Sequence, residues 1–176
     1  MQSAAVISEG RRRTEKRSGL TFRLVRMGEG LEPALTLAEA AHRESRFGYI
    51  PFDREKTRRV VEQALAQDRR HLISVVEVGG RVEGFVFAST GEYIFGSGAL
   101  IVTINTIYTS QELRGSLLGG KAAVGLFGAV RRWAAGIGAV EVLLHATSGI
   151  EGERVGRVVR RLGFQAVGGS FAARVM

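Results

Sequence analysis

A chain of 176 residues with 45% hydrophobic and 24% charged residues is long enough for one domain with its own core and short for two. It has no cysteine, which excludes disulfides, thiolate metal sites and a cysteine nucleophile and fits a cytoplasmic protein. No apolar run approaches the roughly 20 residues of a membrane helix, and the net charge of +8 is uneven: +3 in residues 1–17, balanced over 18–108, +5 in 109–176. The basic C-terminal part would suit a small polyanion or a nucleic acid.

Residues 1–19 lack apolar periodicity and end in a charge run, as expected of a solvated basic tail or of an arm for an acidic protein partner. Residues 20–176 are expected to form a single domain. Residues 21–25 alternate like a strand. A helix is expected over 31–46, with Pro33 in its first turn. Asp53 is placed to cap a second helix, with Val60, Val61, Ala64 and Leu65 inward and Arg54, Arg58, Arg59 and Glu62 on a wet face. Strands 71–78 and 81–89 flank Gly79-Gly80 as a hairpin, Gly84 suggests a bulge, and residues 99–108 form a further strand.

The stretch 104–135 organises the rest. A β-rich run stops in a polar loop, turns through Arg114-Gly115-Ser116 and opens into a helix whose stripe is Leu118, Ala122, Leu126, Val130, Trp133 and Ile137. Free N–H groups at such a helix start point at a negative ligand, although turns of this composition also occur with none. Gly136 and Gly138 end the helix and residues 140–145 form a buried strand. Ser148 and Glu151 have capping-box spacing for a last helix that ends at Gly163, before short strands 164–167 and 171–175. The order predicts an α/β domain: a mixed, mostly antiparallel sheet with helices on both faces and one parallel strand–helix–strand step.

Three signatures in this order resemble the GCN5-related N-acetyltransferase superfamily. Arg114-Gly115-Ser116-Leu117-Leu118-Gly119 matches its [Q/R]-x-x-G-x-[G/A] loop except for Leu117, and Gly120 and Lys121 follow it. V-E-V-G-G-R-V-E-G-F-V is similar to its central hairpin, and V-V-R-R-L-G-F to its L-Y-x-x-L-G-F ending. The stretches H-R-E-S-R and F-D-R-E-K look like small phage-encoded members, which would place the chain in a host cytoplasm or a virion. The resemblance implies a V-shaped opening between two parallel central strands, and acetyl transfer from acetyl-coenzyme A to an amine of a small molecule or protein, without a metal. By the same resemblance, N–H groups of Leu113, Arg114, Gly115, Ser116, Leu117, Leu118 and Gly119 would hold the pyrophosphate beside Gly120. Arg114 and Lys121 would supply charge, and Ile107-Tyr108-Thr109 would pair by backbone with the pantetheine arm.

The reaction needs a neutral amine and a proton for the leaving thiolate. The family's tyrosine acid is replaced by Val159, and strand 99–108 offers the amide of Asn105 but no carboxylate. His145, at a strand end beside the opening, is the first catalytic candidate and Asn105 the second, although a histidine there also serves to satisfy local hydrogen bonds. Glu92, Tyr93 and Ser148 are further groups expected near the opening. His42, Glu44 and Ser45 fall where the family shapes the acceptor site, or on a helix end facing water. The alternative is the same fold as a binding or structural module in a larger, phage-type assembly. Nucleic-acid binding ranks last, since the strands lack interleaved exposed aromatics.

Overall fold

The computed structural model describes residues 19–67, 69–145 and 152–168. The basic tail, Ser148 with the expected capping box, and the expected strand 171–175 lie outside them. Five strands form one sheet in sequence order: β1 (Leu20–Leu24), β2 (His71–Val78), β3 (Arg81–Glu92), β4 (Leu100–Thr109) and β5 (Glu141–Leu144). β1 to β4 are antiparallel neighbours, and β5 joins β4 in parallel. The β2–β3 hairpin turns on Gly79 and Gly80, whose φ of 57° and 82° make the doubly positive turn that matches strand twist.

Helices cover both faces, and strand alternation decides which side chains meet which helix. Leu72, Val76, Val86, Ala88, Val102 and Ile104 cluster with Ala122, Leu126 and Val130 of α4 (Leu117–Gly136). Ile73, Val75 and Phe85 cluster with Leu35 and Ala41 of α1 (Glu32–Glu44) and Ala64 of α2 (Arg54–Leu65). Asp53 caps α2 as expected, accepting from the Lys56 N–H at 2.8 Å. Arg54 and Arg58 are not on a simple wet face. Arg54 reaches Glu32 at 2.8 Å and Glu39 at 3.2 Å, and Arg58 pairs with Glu32, so α2 is tied to α1 along their outer edges.

The polar loop before α4 contains a short helix, α3 (Gln111–Arg114), capped by Ser110, and Ser116 then caps α4. α4 and α5 (Gly152–Arg161) end alike. Gly138 (φ 75°) donates to Ala135 O and Ala139 to Ala134 O; Gly163 (φ 87°) donates to Arg160 O and Phe164 to Val159 O. These paired bonds satisfy the last carbonyls of each helix. Residues 164–168 form no strand; Phe164 instead packs on Phe127, ring centroids 5.7 Å apart. No described helix is long and apolar enough to cross a membrane.

Candidate functional site

The site begins at an irregularity in β4. Ala88 pairs with Ile104 and Phe87 with Thr106, so Asn105 is an extra residue, a β-bulge. The bulge shifts the phase of everything after it. Val102 and Ile104 pack with α4, and so does Ile107, three residues on, while Tyr108 joins the α1/α2 cluster. The peptide groups shift likewise. Before the bulge, Leu100 O accepts from Val140 beside β5, and Ile101 O accepts from Thr90 of β3. After it, Ser110 N donates to Glu83 O of β3, so Ile107 and Thr109 turn their peptide groups away from β3. The pairing of β4 with β5 covers Ile101–Ile104 against Glu141–Leu144 and stops at the bulge, while β4 runs on to Thr109. Beyond that point the outer backbone edge of β4 has no strand partner among the described residues.

Beside this opening lies a cavity of about 460 Å³ between the sheet and the pair α1/α2. The structure brings into its wall His42, Ser45, Asn105, Ile107, Tyr108, Thr109, Arg114 and His145. Glu44 stands behind them. Its carboxylate accepts from the Tyr108 hydroxyl and from Arg114 Nη2, and Arg114 also donates to the Tyr108 oxygen at 3.1 Å, its guanidinium 4.9 Å from the ring centroid. Burial draws the Glu44 carboxyl upward, but the Tyr108 and Arg114 hydrogen bonds and the guanidinium charge outweigh it and hold it below the ordinary glutamate value. Burial first, then the hydrogen bond to Glu44 and its charge, push Tyr108 up to about 12. Tyr108 therefore keeps its proton at neutral pH.

Asn105 Oδ1 accepts from the Ser89 hydroxyl at 2.9 Å, which leaves its NH₂ for the cavity. An amide takes up no proton at neutral pH, so Asn105 can position a substrate but not act as its base. His42 Nε2 stands 2.7 Å from Ile50 O, a contact that requires its proton on Nε2. His145 follows β5 and is exposed at the mouth. Glu92 pairs with Leu100 at the opposite end of β3 and β4, and Tyr93 lies in the loop beyond it, so neither is near the opening.

The second part of the site is the junction of α3 and α4. Of the N–H groups expected to face a phosphate, those of Leu113 and Arg114 go to Ser110 O, those of Gly115 and Ser116 to Leu113 O, and that of Gly119 to Ser116 Oγ. Gly120 makes the first helical bond, to Ser116 O. Leu117 and Leu118 remain, at the first two positions of a 20-residue helix, with no N–H partner among the described residues. Leu117 is 89% exposed, so its side chain plugs nothing. Lys121 is exposed one turn along α4. Gly119 has a tighter requirement: a Cβ there would stand 2.2 Å from Leu113 O. The close approach this glycine permits is of the chain to itself.

Sequence reasoning missed most of the cavity lining, Phe85 and Phe87 above all. The i, i+2 spacing of those two aromatics was the available signal.

The Acetyltransferase (GNAT) domain family matches residues 2–93, just over half of the chain. No curated protein matches the sequence. Among solved structures, the chain is similar to AAC(6')-Iy, whose complex with a CoA-S-monomethyl-acetylneamine bisubstrate analogue is known (20% identity, 90% of this chain and 99% of that one, TM-score 0.70). A ribosomal-protein-alanine N-acetyltransferase from Brucella melitensis biovar Abortus 2308 follows (18%, 89% and 99%, TM-score 0.63). So does the aminoglycoside 6'-N-acetyltransferase AAC(6')-Ih from Acinetobacter baumannii (17%, 90% and 99%, TM-score 0.64). At these identities the likeness is one of fold. The family match spans β1 through β3 and the fold likeness extends over β4 to α5, and together they place this chain in the GNAT acetyltransferase domain family.

Proposed function

We propose that the protein transfers the acetyl group of acetyl-coenzyme A to an amine. The observation that carries this reading is the end of the β4–β5 pairing at the Asn105 bulge, beside a helix start whose Leu117 and Leu118 N–H groups have no partner among the described residues. The pantetheine amides would pair with the peptide groups of Ile107 and Thr109, and the pyrophosphate would sit on the Leu117 and Leu118 N–H groups with the helix dipole behind them. Arg114 and Lys121 would add charge. The amine nitrogen attacks the thioester carbonyl carbon, the N–C bond forms and the C–S bond breaks. The amine proton departs through His145 or water, and the thiolate of coenzyme A takes up a proton. His42, Ser45 and Asn105 would orient the acceptor from the cavity wall.

Acetyl-coenzyme A at about 100 times its Kd should stabilise the protein by about 2.7 kcal/mol, a rise of roughly 5–10 °C in melting temperature. No rise at millimolar ligand would refute the reading. Deleting Asn105 removes the bulge yet keeps Ile107 and Tyr108 on their faces, so the strands can pair further. The expected result is a folded protein, by circular dichroism, that has lost the acetyl-coenzyme A shift. Thiol release over an amine panel then measures turnover, without background because the chain has no cysteine. A shift with no release across the panel would make the fold a binding module, a reading that Val159 favours: it packs against the core where the family's tyrosine acid is expected.

A further inference from the structure

The cavity under α1 and α2 says what kind of amine the site takes, granted the acetyl-transfer reading above. Its apolar walls are Leu35 and Ala38 of α1, Val61 of α2, and Phe85 and Phe87 from the sheet. Val60, expected in the core, is 45% exposed and lines the same space, because α2 does not close onto the sheet there. Asn105 and Thr106 at the bulge and His145 after β5 line it beside the opening, and His42, Ser45 and Thr57 line it from the helices. The result is a largely apolar chamber with polar groups at its mouth, where the thioester would lie.

Charge sharpens the reading. The charged side chain in the described lining is Arg114, a cation. The carboxylates of α1 are spent elsewhere: Glu44 on Arg114 and Tyr108, Glu32 and Glu39 on Arg54 and Arg58 at the outer edge of the helix pair. A polycation entering this chamber would give up water and meet no carboxylate in the described lining. A single amine on an apolar body would bury the body and leave its nitrogen at the mouth.

We infer that the acceptor is a monoamine with an aliphatic or aryl body, seated in the α1/α2 chamber, and not a polycationic aminosugar of the kind named for several of the fold's neighbours. Thiol release by the full chain with acetyl-coenzyme A tests this on propylamine to hexylamine, phenethylamine and kanamycin. Burial of each added methylene should raise kcat/KM about fourfold, and kanamycin should fall at least about tenfold below hexylamine. Filling the chamber by Ala38→Trp should raise the KM for hexylamine about tenfold or more while the thermal shift with acetyl-coenzyme A persists. If that variant fails to fold, the alkyl series on the native chain decides. A flat series, a preference for kanamycin, or a shift with no release on any amine would overturn the inference while leaving acetyl-coenzyme A binding intact. So would faster release from octanoyl-coenzyme A with propylamine than from acetyl-coenzyme A with hexylamine, since the chamber would then hold the acyl chain. Absence of the acetyl-coenzyme A shift would instead remove the acetyl-transfer reading itself.

Discussion

Gly119→Ala should lower the melting temperature by about 5 °C or more, whereas Gly120→Ala, one residue on, should raise it slightly. Alanine normally favours a helix over glycine by about 0.5–1 kcal/mol. At Gly120 nothing stands within 4 Å of the new Cβ, so that gain is available. At Gly119 the Cβ meets Leu113 O at 2.2 Å, Leu113 C at 2.9 Å and Arg114 Cα at 3.1 Å. These are backbone atoms, and no rotamer change moves them. The start of α4 must lift off α3, at an overpacking cost of about 1–3 kcal/mol or more that the helix gain offsets only in part. At roughly 2–4 °C per kcal/mol for a chain of this size, calorimetry resolves both signs. Because Leu117 and Leu118 ride on that start, Gly119→Ala should also weaken the acetyl-coenzyme A shift, and Gly120→Ala should leave it. A Gly119→Ala protein as stable as the native one would show that the α3–α4 contact is looser than described.

The second large effect is at Arg114. Arg114→Met removes the guanidinium from the Glu44 carboxylate, and Glu44→Gln removes the Glu44 charge from the guanidinium. A double-mutant cycle on urea midpoints should give a coupling of about 1–2 kcal/mol, below the upper range for charged hydrogen bonds because both side chains keep some water contact. The sign with pH follows from the depressed Glu44 pKa. The coupling is full above the ordinary glutamate value of 4.5 and is lost as pH falls through the lower folded-state value. Binding should move the other way from stability. If Arg114 turns from Glu44 to a phosphate, as the proposed function has it, Glu44→Gln should lose stability yet bind acetyl-coenzyme A several-fold more tightly, by isothermal titration. Weaker binding in Glu44→Gln would show that Arg114 stays on Glu44 and that the phosphates are held by other groups.

Much of the frame was readable in the chain because it rests on local chemistry. Gly79-Gly80 permits one hairpin turn, Asp53 and Ser116 are placed to cap, and Gly138 and Gly163 stop their helices at the positive φ that other residues avoid. The helix start was also local, and among the described residues the N–H groups without a partner narrow from Leu113–Gly119 to Leu117 and Leu118 once Ser110, Leu113 and Ser116 claim the others. What the residues did not disclose depends on register and long-range contact. The Glu44–Arg114 pair joins positions 70 apart in sequence. Gly84 marked a bulge in β3, where the pairing indeed slips beside it, but nothing in the Ile/Val/Thr pattern of β4 marked Asn105 as the extra residue. Glu92 and Tyr93 were misplaced for the same reason: distance from the opening is set by the pairing with β4, which composition does not reveal. Residues 164–167 read as a strand from their content alone, and the exit from α5 spends the chain on packing Phe164 instead.

The ties between α1 and α2 give the chamber an unexpected sensitivity. Arg54 and Arg58 hold Glu32 and Glu39 across exposed edges, where mobile ions compete well and each pair contributes little by itself. The edge where the two helices of the roof meet is thus fastened by the interactions that dissolved salt weakens most, while apolar packing of Leu35, Ala41 and Ala64 holds the roof to the sheet. Raising ionic strength should therefore loosen the α1–α2 edge alone, with both helices still held to the sheet.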